Sequence, residues 1–421
     1  MKDVGLVLVQ MKPCFKLRFE GIEHMAVEQV KQVGKLRRLL EVIIVSTKLG
    51  LTSFGGPVAH LGYFQHEYIQ KRKWLDERSY ADLVALCQFL PGPASSQVGI
   101  GIGLMRAGIL GGICSFIGFT LPSVLALVLF ALFMQGFEVS SSGWLHGLKI
   151  VAVAIVAQAI WNMGQKLAPD KIRMTIAIAA ASAALLWASA LSQIVIILAS
   201  ACAGILLYRR PIEPRQQHIP VPVRRSAAVF CFVLFFLLLF LLPILREASG
   251  NDWVAFFDSF YRSGSLVFGG GHVVLPLLES ELVTPGWMSS SDFLAGYGAA
   301  QAVPGPLFTF AAYAGAVMDG WMGAMVATAA IFLPAFLLVI GVMPFWDRLR
   351  SIRMVQAALT GVNAAVVGIL LAALYDPIWT STISSSKDFV LAMILFIMLI
   401  AWKCPPWVVV LAGAAFGAWF L

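Results

Sequence analysis

The chain has 421 residues, of which 59% are apolar and 12% charged, with a formal net charge of +8. A soluble domain carries about a quarter charged residues, so this composition excludes an ordinary aqueous fold and makes the lipid bilayer the solvent. The basic residues lie in short segments between apolar runs, which is the positive-inside pattern of a polytopic membrane protein and not a nucleic-acid surface.

In chain order, residues 1–35 mix charges with short apolar pieces and lack the order of a cleavable signal, so they read as a cytoplasmic amino-terminal segment. Residues 36–208 and 246–421 read as two homologous halves. They are joined by a basic cytoplasmic linker at 209–225 and a connecting membrane helix at 226–245. An internal repeat carries this division. Phe54-Gly55-Gly56-Pro57 recurs as Phe268-Gly269-Gly270-Gly271, and Gln88 with Pro91-Gly92-Pro93 recurs as Gln301 with Pro304-Gly305-Pro306. Glu67, Trp74, Pro122 and Gly147 recur as Glu281, Trp287, Pro334 and Gly361. All of these pairs fall at an offset of 212 to 214 residues.

Charges beside equivalent segments have opposite signs. Lys71-Arg72-Lys73 stands against Glu279 and Glu281, Arg106 against Asp319, and Glu138 against Arg348, Arg350 and Arg353. Under the positive-inside rule the halves are therefore antiparallel, an inverted-topology repeat. Basic residues flank both ends of 39–69 and of 79–105, so each motif segment is predicted to enter and return on one side. The fold class is accordingly an all-α polytopic membrane protein with four broken re-entrant segments and about nine full spans. Those spans are placed at 107–134, 144–165, 172–190, 192–208, 226–245, 321–343, 352–375, 385–402 and 404–421, with full crossing of some motif segments as the alternative.

The motifs carry the candidate chemistry. A Gly-Gly break at a helix end exposes backbone N–H groups and the positive end of the helix dipole, which suits an anion. The same glycines also permit close helix packing. Pro91, Pro93, Pro304 and Pro306 cannot continue a helix, and Gln88, Gln301, Ser95, Ser96, Gln97 and Thr309 put amides and hydroxyls beside the break. These amides either donate to an anion or satisfy freed carbonyls.

Lys48 and Arg262 are equivalent cations inside apolar segments, where insertion costs about 2.5–3.5 kcal/mol. They are candidates to neutralise or steer a dianion, or else they snorkel or pair with carboxylates. Glu67 and Glu281 are candidates for gating or proton relay, or are solvated surface groups. His60 and His272, which the repeat does not superimpose, are candidates for titration near neutral pH. The six cysteines form no C-x-x-C pair, no nucleotide-binding loop is present, and no nucleophile and base stand together. The expectation is a non-enzyme without metal or cofactor.

As a combination, these motifs resemble the long-chain, two-domain members of the chromate ion transporter family, from about residue 40 to the end. The resemblance implies a carrier in the bacterial inner membrane that expels chromate, a tetrahedral divalent oxyanion, on the proton motive force and confers resistance to it. It also implies that sulfate competes for the site. A sulfate or related oxyanion carrier and a passive anion channel share these features. The composition assigns no oligomeric state and no partner beyond the anion and the bilayer.

Overall fold

A computed structural model describes residues 34–54, 56–135, 143–187, 190–208, 223–268, 273–349 and 352–420. The amino-terminal segment up to residue 33, the linker at 209–222, and Gly55, Glu138, Gly269, Gly270, Gly271, His272 and Arg350 lie outside the described residues. Among those described, the secondary structure is entirely helical.

The first half runs α1 (34–52), α2 (Gly56–Phe64, continued as a π-helix over Gln65–Lys71), α3 (Glu77–Phe89), α4 (Ala94–Gln135), α5 (Gly143–Leu167), α6 (Lys171–Leu186) and α7 (Ala190–Leu207). α8 (Arg225–Ser249) connects the halves. The second half repeats the series as α9 (Asp252–Leu266), α10 (Val274–Leu282), α11 (Ser290–Ala302), α12 (Phe310–Val342), a single turn α13 (Trp346–Leu349), α14 (Arg353–Ala373), α15 (Ser386–Ile400) and α16 (Pro406–Phe420). Local chemistry fixes several starts. Asp170, Asn251 and Ser289 cap α6, α9 and α11, and Ser385 with Asp388 forms a full capping box on α15, satisfying donors that have no intrahelical partner.

By length and composition five helices can cross a membrane, with α4 and α12 counted as single spans. Their geometry divides each of them. Ala107 (φ −143°, ψ 20°) and Gly108 (φ 70°, ψ −160°) are non-helical, as are Asp319 and Gly320. A Cβ on Gly103 would stand 2.7 Å from the Gly111 carbonyl carbon, and one on Gly315 would stand 2.6 Å from that of Gly323. Residues eight apart in a straight helix are about 12 Å apart, so the chain doubles back. The arm 94–106 ends a motif segment, and 109–135 is the span that follows it. The turn also corrects one alignment: Asp319 corresponds to Ala107, since each precedes the positive-φ glycine, and not to Arg106.

Packing between the halves is reciprocal. α5 packs on α15 and α16, and α14 packs on α6 and α7, so the terminal hairpin of each half covers the fifth-position helix of the other. Small residues set the approach. Gly147 faces Gly413 and Gly417, while its equivalent Gly361 faces Ser200 and Gly204, which are their repeat counterparts. Close backbone contact through small-xxx-small spacing replaces the hydrophobic drive that lipid does not supply. α8 is different: Val229, Phe230, Val233, Phe240 and Ile244 are all exposed along it, as befits a helix bathed in hydrocarbon. One apolar core joins α5 to α9, α10, α11 and α12, and a second joins the amino-terminal motif segments to α8 and the end of α12.

Candidate functional site

Each half contributes two interrupted segments, α1/α2 and α3/α4 in the first, α9/α10 and α11/α12 in the second. Every arm at the proline breaks is short: α3 and α11 have 13 residues each, about 20 Å of helix against the ~30 Å hydrocarbon core. Their tips meet across the halves. Gly92 N–H donates to Val267 O at 2.7 Å, and Gly305 N–H donates to Ser53 O at 2.9 Å. Gly92 and Gly305 are equivalent, as are Ser53 and Val267. Each Pro-Gly-Pro turn is therefore tied to the backbone just before the opposite half's Phe-Gly-Gly motif.

Both glycines need their lack of a side chain, with φ of 115° at Gly92 and 102° at Gly305. Their N–H groups are spent on this junction. The described glycine of the first motif, Gly56, also has positive φ (78°) and nothing within 4 Å of an added Cβ, so it does not serve close packing.

Polar side chains gather around the junction. His60 is 1% exposed, and its Nδ1 lies 3.3 Å from Ser95 Oγ. Its ring meets Phe119 edge-on at 5.4 Å. Phe119 and Ser123 flank Gly305, and Ser123 donates to Pro304 O. Gln97 donates to Pro91 O at 2.8 Å and Thr309 to Pro306 O at 2.7 Å, so both partly serve the breaks themselves.

Several buried polar atoms have no hydrogen-bond partner: Ser53 Oγ, His60 Nε2, Ser96 Oγ, Gln97 Oε1, Thr120 Oγ1 and Gln301 Nε2. An unpaired buried polar group costs about 1–3 kcal/mol, so these atoms are candidates to meet a polar ligand. The available donors are neutral hydroxyls, an amide and an imidazole. Gln88 is exposed on α3, next to the Phe89–Trp346 ring contact.

The cations expected at the tips are already engaged. Lys48 Nζ lies 2.8 Å from Glu67, which also accepts from Arg72 Nε at 3.1 Å. Arg262 pairs with Asp258 and with Glu281 at 3.4 Å. Glu67 and Glu281 are buried, at 3% and 7% exposure, and are not solvated surface groups. Each cluster extends further than the motifs suggested. In the first half Arg72 and Arg106 also bind Glu41, with Trp74 against both guanidiniums. In the second, Arg246 joins Asp258 and Glu281 with Trp287 against it. Counting Lys71, 3.8 Å from Glu67, the first cluster sets four cations against two carboxylates, while the second sets two against two. Glu41, Asp258, Arg246, Ser53, Thr120 and Ser123 were not singled out from sequence. None of them recurs in the repeat, and only charge inside an apolar run marked Glu41 and Asp258.

The sequence profile of the family described as Chromate transporter matches residues 40–205 and 254–418. A chromate transport protein of Pseudomonas aeruginosa is 28% identical over 337 residues, 78% of each chain. A chromate transport protein of Cupriavidus metallidurans is 25% identical over 90% of this chain and 92% of its own. An uncharacterized transporter of Methanocaldococcus jannaschii is 26% identical over 79% of this chain and 83% of its own. No solved structure matches the chain.

Proposed function

The chain belongs to the chromate transporter family, and on that premise we propose that it exports chromate across a bacterial inner membrane, driven by the proton motive force and conferring chromate resistance. The membrane is crossed nine times, with the amino terminus inside and the halves inverted, as the positive-inside rule requires. The observation that carries this reading is the pair of reciprocal backbone hydrogen bonds from Gly92 and Gly305. They tie the broken segments of each half to those of the other, and Ser53, His60 and Gln97 place unpaired buried polar atoms beside these turns.

A tetrahedral dianion loses water on entering this junction and needs several donors at once, which hydroxyls on Ser53, Ser96 and Thr120 and the Gln301 amide supply. The four-against-two cation cluster gives the path a positive field without placing a bare lysine in the site. Alternating access follows when the two halves rock about the shared junction. His60, buried beside Ser95, is a titratable group close to the Pro91–Pro93 break, and Glu67 and Glu281 are braces whose pairing changes with the rocking.

The test is uptake of labelled chromate into inverted vesicles with and without an imposed pH gradient, with labelled sulfate in parallel. Gradient-dependent chromate accumulation that falls at least several-fold in Ser53→Ala/Ser96→Ala is the expected result. Flux indifferent to the gradient would replace the carrier with a channel, and accumulation of sulfate in preference to chromate would change the cargo.

A further inference from the structure

A cavity of about 740 Å³ opens beside the first half's glycine break, lined by Phe54, Gln158, Asn162, Lys403, Cys404 and Trp407 among others. Its position follows from the helices around it. α5 and α15 run parallel, since His146 meets Asp388 at 2.9 Å and Gln158 meets Leu399 O at 3.3 Å. The cavity therefore lies at the end of the bundle opposite the Ser385 cap. Its inner wall is Phe54, whose ring sits 6.4 Å from that of Trp407. Its outer wall is the α15–α16 loop carrying Lys403.

Three features point to an anion. Lys403 is exposed and has no carboxylate within ion-pair distance among the described residues, unlike Lys48 and Arg262. Asn162 and Gln158, whose Nε2 also donates to Leu399 O at 3.3 Å, add polar amides to the lining. The mirror position in the other half has diverged in the opposite sense: the repeat counterparts of Lys403, Gln158 and Asn162 are Ala190, Ala372 and Asp376. The cavity admits an anion with its first water shell, whereas the junction strips it.

We propose that this cavity is a vestibule that collects tetrahedral oxyanions through Lys403 and passes them by Phe54 to the junction. The inference rests on the transport reading above, which puts the α15–α16 loop on the cytoplasmic side and makes this the loading face. The chemistry it recognises is a small oxyanion, and a lipid phosphate headgroup offers the same chemistry from another source.

Cys404 in the cavity wall is a built-in reporter. In a chain whose other five cysteines are replaced by alanine, held in phosphatidylcholine nanodiscs, the rates of thiol modification by an anionic and a cationic methanethiosulfonate are compared. One unit charge about 6 Å away in a water-like medium changes the ratio of the two rates about tenfold. Lys403→Gln is expected to lower the anionic preference by that factor, and Lys403→Arg to keep it. In inverted vesicles Lys403→Gln is expected to raise KM for chromate about tenfold at unchanged kcat.

An unchanged rate ratio in Lys403→Gln overturns the vestibule. So does slowing of Cys404 modification when phosphatidylglycerol is added, because a lipid then fills the cavity. Absence of chromate transport by the unaltered protein overturns the transport reading instead, and leaves the Cys404 measurement standing as a test of anion selectivity.

Discussion

Replacing Gly147 with alanine tests the reciprocal packing on which the architecture rests. An added Cβ would stand 2.9 Å from the Gly413 carbonyl carbon and 3.1 Å from Gly417 Cα. Both are backbone atoms of α16, so no flexible side chain can swing away and the helices must separate. Overpacking of this kind costs about 1–3 kcal/mol. Gly164 on the same helix supplies the control, because a Cβ there meets nothing within 4 Å. Alanine gains about 0.5–1 kcal/mol of helix propensity at either position. That gain cancels in the comparison and leaves the packing cost as the difference. Gly361→Ala should match Gly147→Ala, since its Cβ would lie 2.9 Å from the Ser200 carbonyl carbon and 3.0 Å from Gly204 Cα. Heating purified protein in detergent and measuring the fraction that still elutes as a single folded species ranks the three variants. Gly147→Ala as heat-resistant as Gly164→Ala would refute the close approach, and unequal loss between Gly147→Ala and Gly361→Ala would refute the two-fold relation.

Three further outcomes are expected in the same assay. Gly305→Ala forces a Cβ onto a backbone at φ 102° and into Ser123, costing about 1–3 kcal/mol for the conformation alone; Ser123→Ala should recover the steric part and not the rest. Glu281→Gln leaves Asp258 alone between Arg246 and Arg262, whose side chains are 29% and 17% exposed. Their partial solvation lowers the 3–5 kcal/mol of a broken buried pair to about 1–3 kcal/mol, and Asp258→Asn added to it should worsen the loss. Asp388→Ala removes one side of the α15 capping box and the bond from His146, for about 1–2 kcal/mol, whereas His146→Ala should cost less because the cap survives.

The repeat was legible because glycine and proline mark backbone geometry. Pro91, Gly92 and Pro93 cannot lie inside a helix wherever the chain goes, so their recurrence as Pro304, Gly305 and Pro306 announced matching breaks. Which groups those breaks face is a matter of tertiary approach. Nothing local to Gly92 indicates that its N–H donates to Val267 O. The turn at Ala107–Gly108 was legible as a boundary, since basic residues flank 79–105 and the next span falls at 107–134. The close approach of Gly103 to Gly111 that makes the turn so tight depends on tertiary packing and was not legible. Ser53 and Thr120 stand opposite Val267 and Phe332 in the repeat, so a search keyed on recurrence passes over them. The pairing of Lys48 with Glu67 was legible as an alternative, since both are charged and both recur, but their separation of 19 residues across a break of unknown angle left it undecided.

Charge, by contrast, does not follow the backbone symmetry. The contacts that must fit sterically are duplicated: Gly147 against Gly417 and Gly361 against Gly204, Gly305 against Ser53 and Gly92 against Val267. The ionic groups share only Glu67 with Glu281 and Lys48 with Arg262, while the second carboxylate is Glu41 in one half and Asp258, at a different register, in the other. Steric fit at a helix crossing is lost by a single methyl group. An ion pair reached by long side chains tolerates a partner on a neighbouring turn. Drift is thus cheap for charge and costly for glycine, and it leaves one electropositive cluster and one balanced cluster. The two halves therefore share a steric frame and differ in the charge that frame carries.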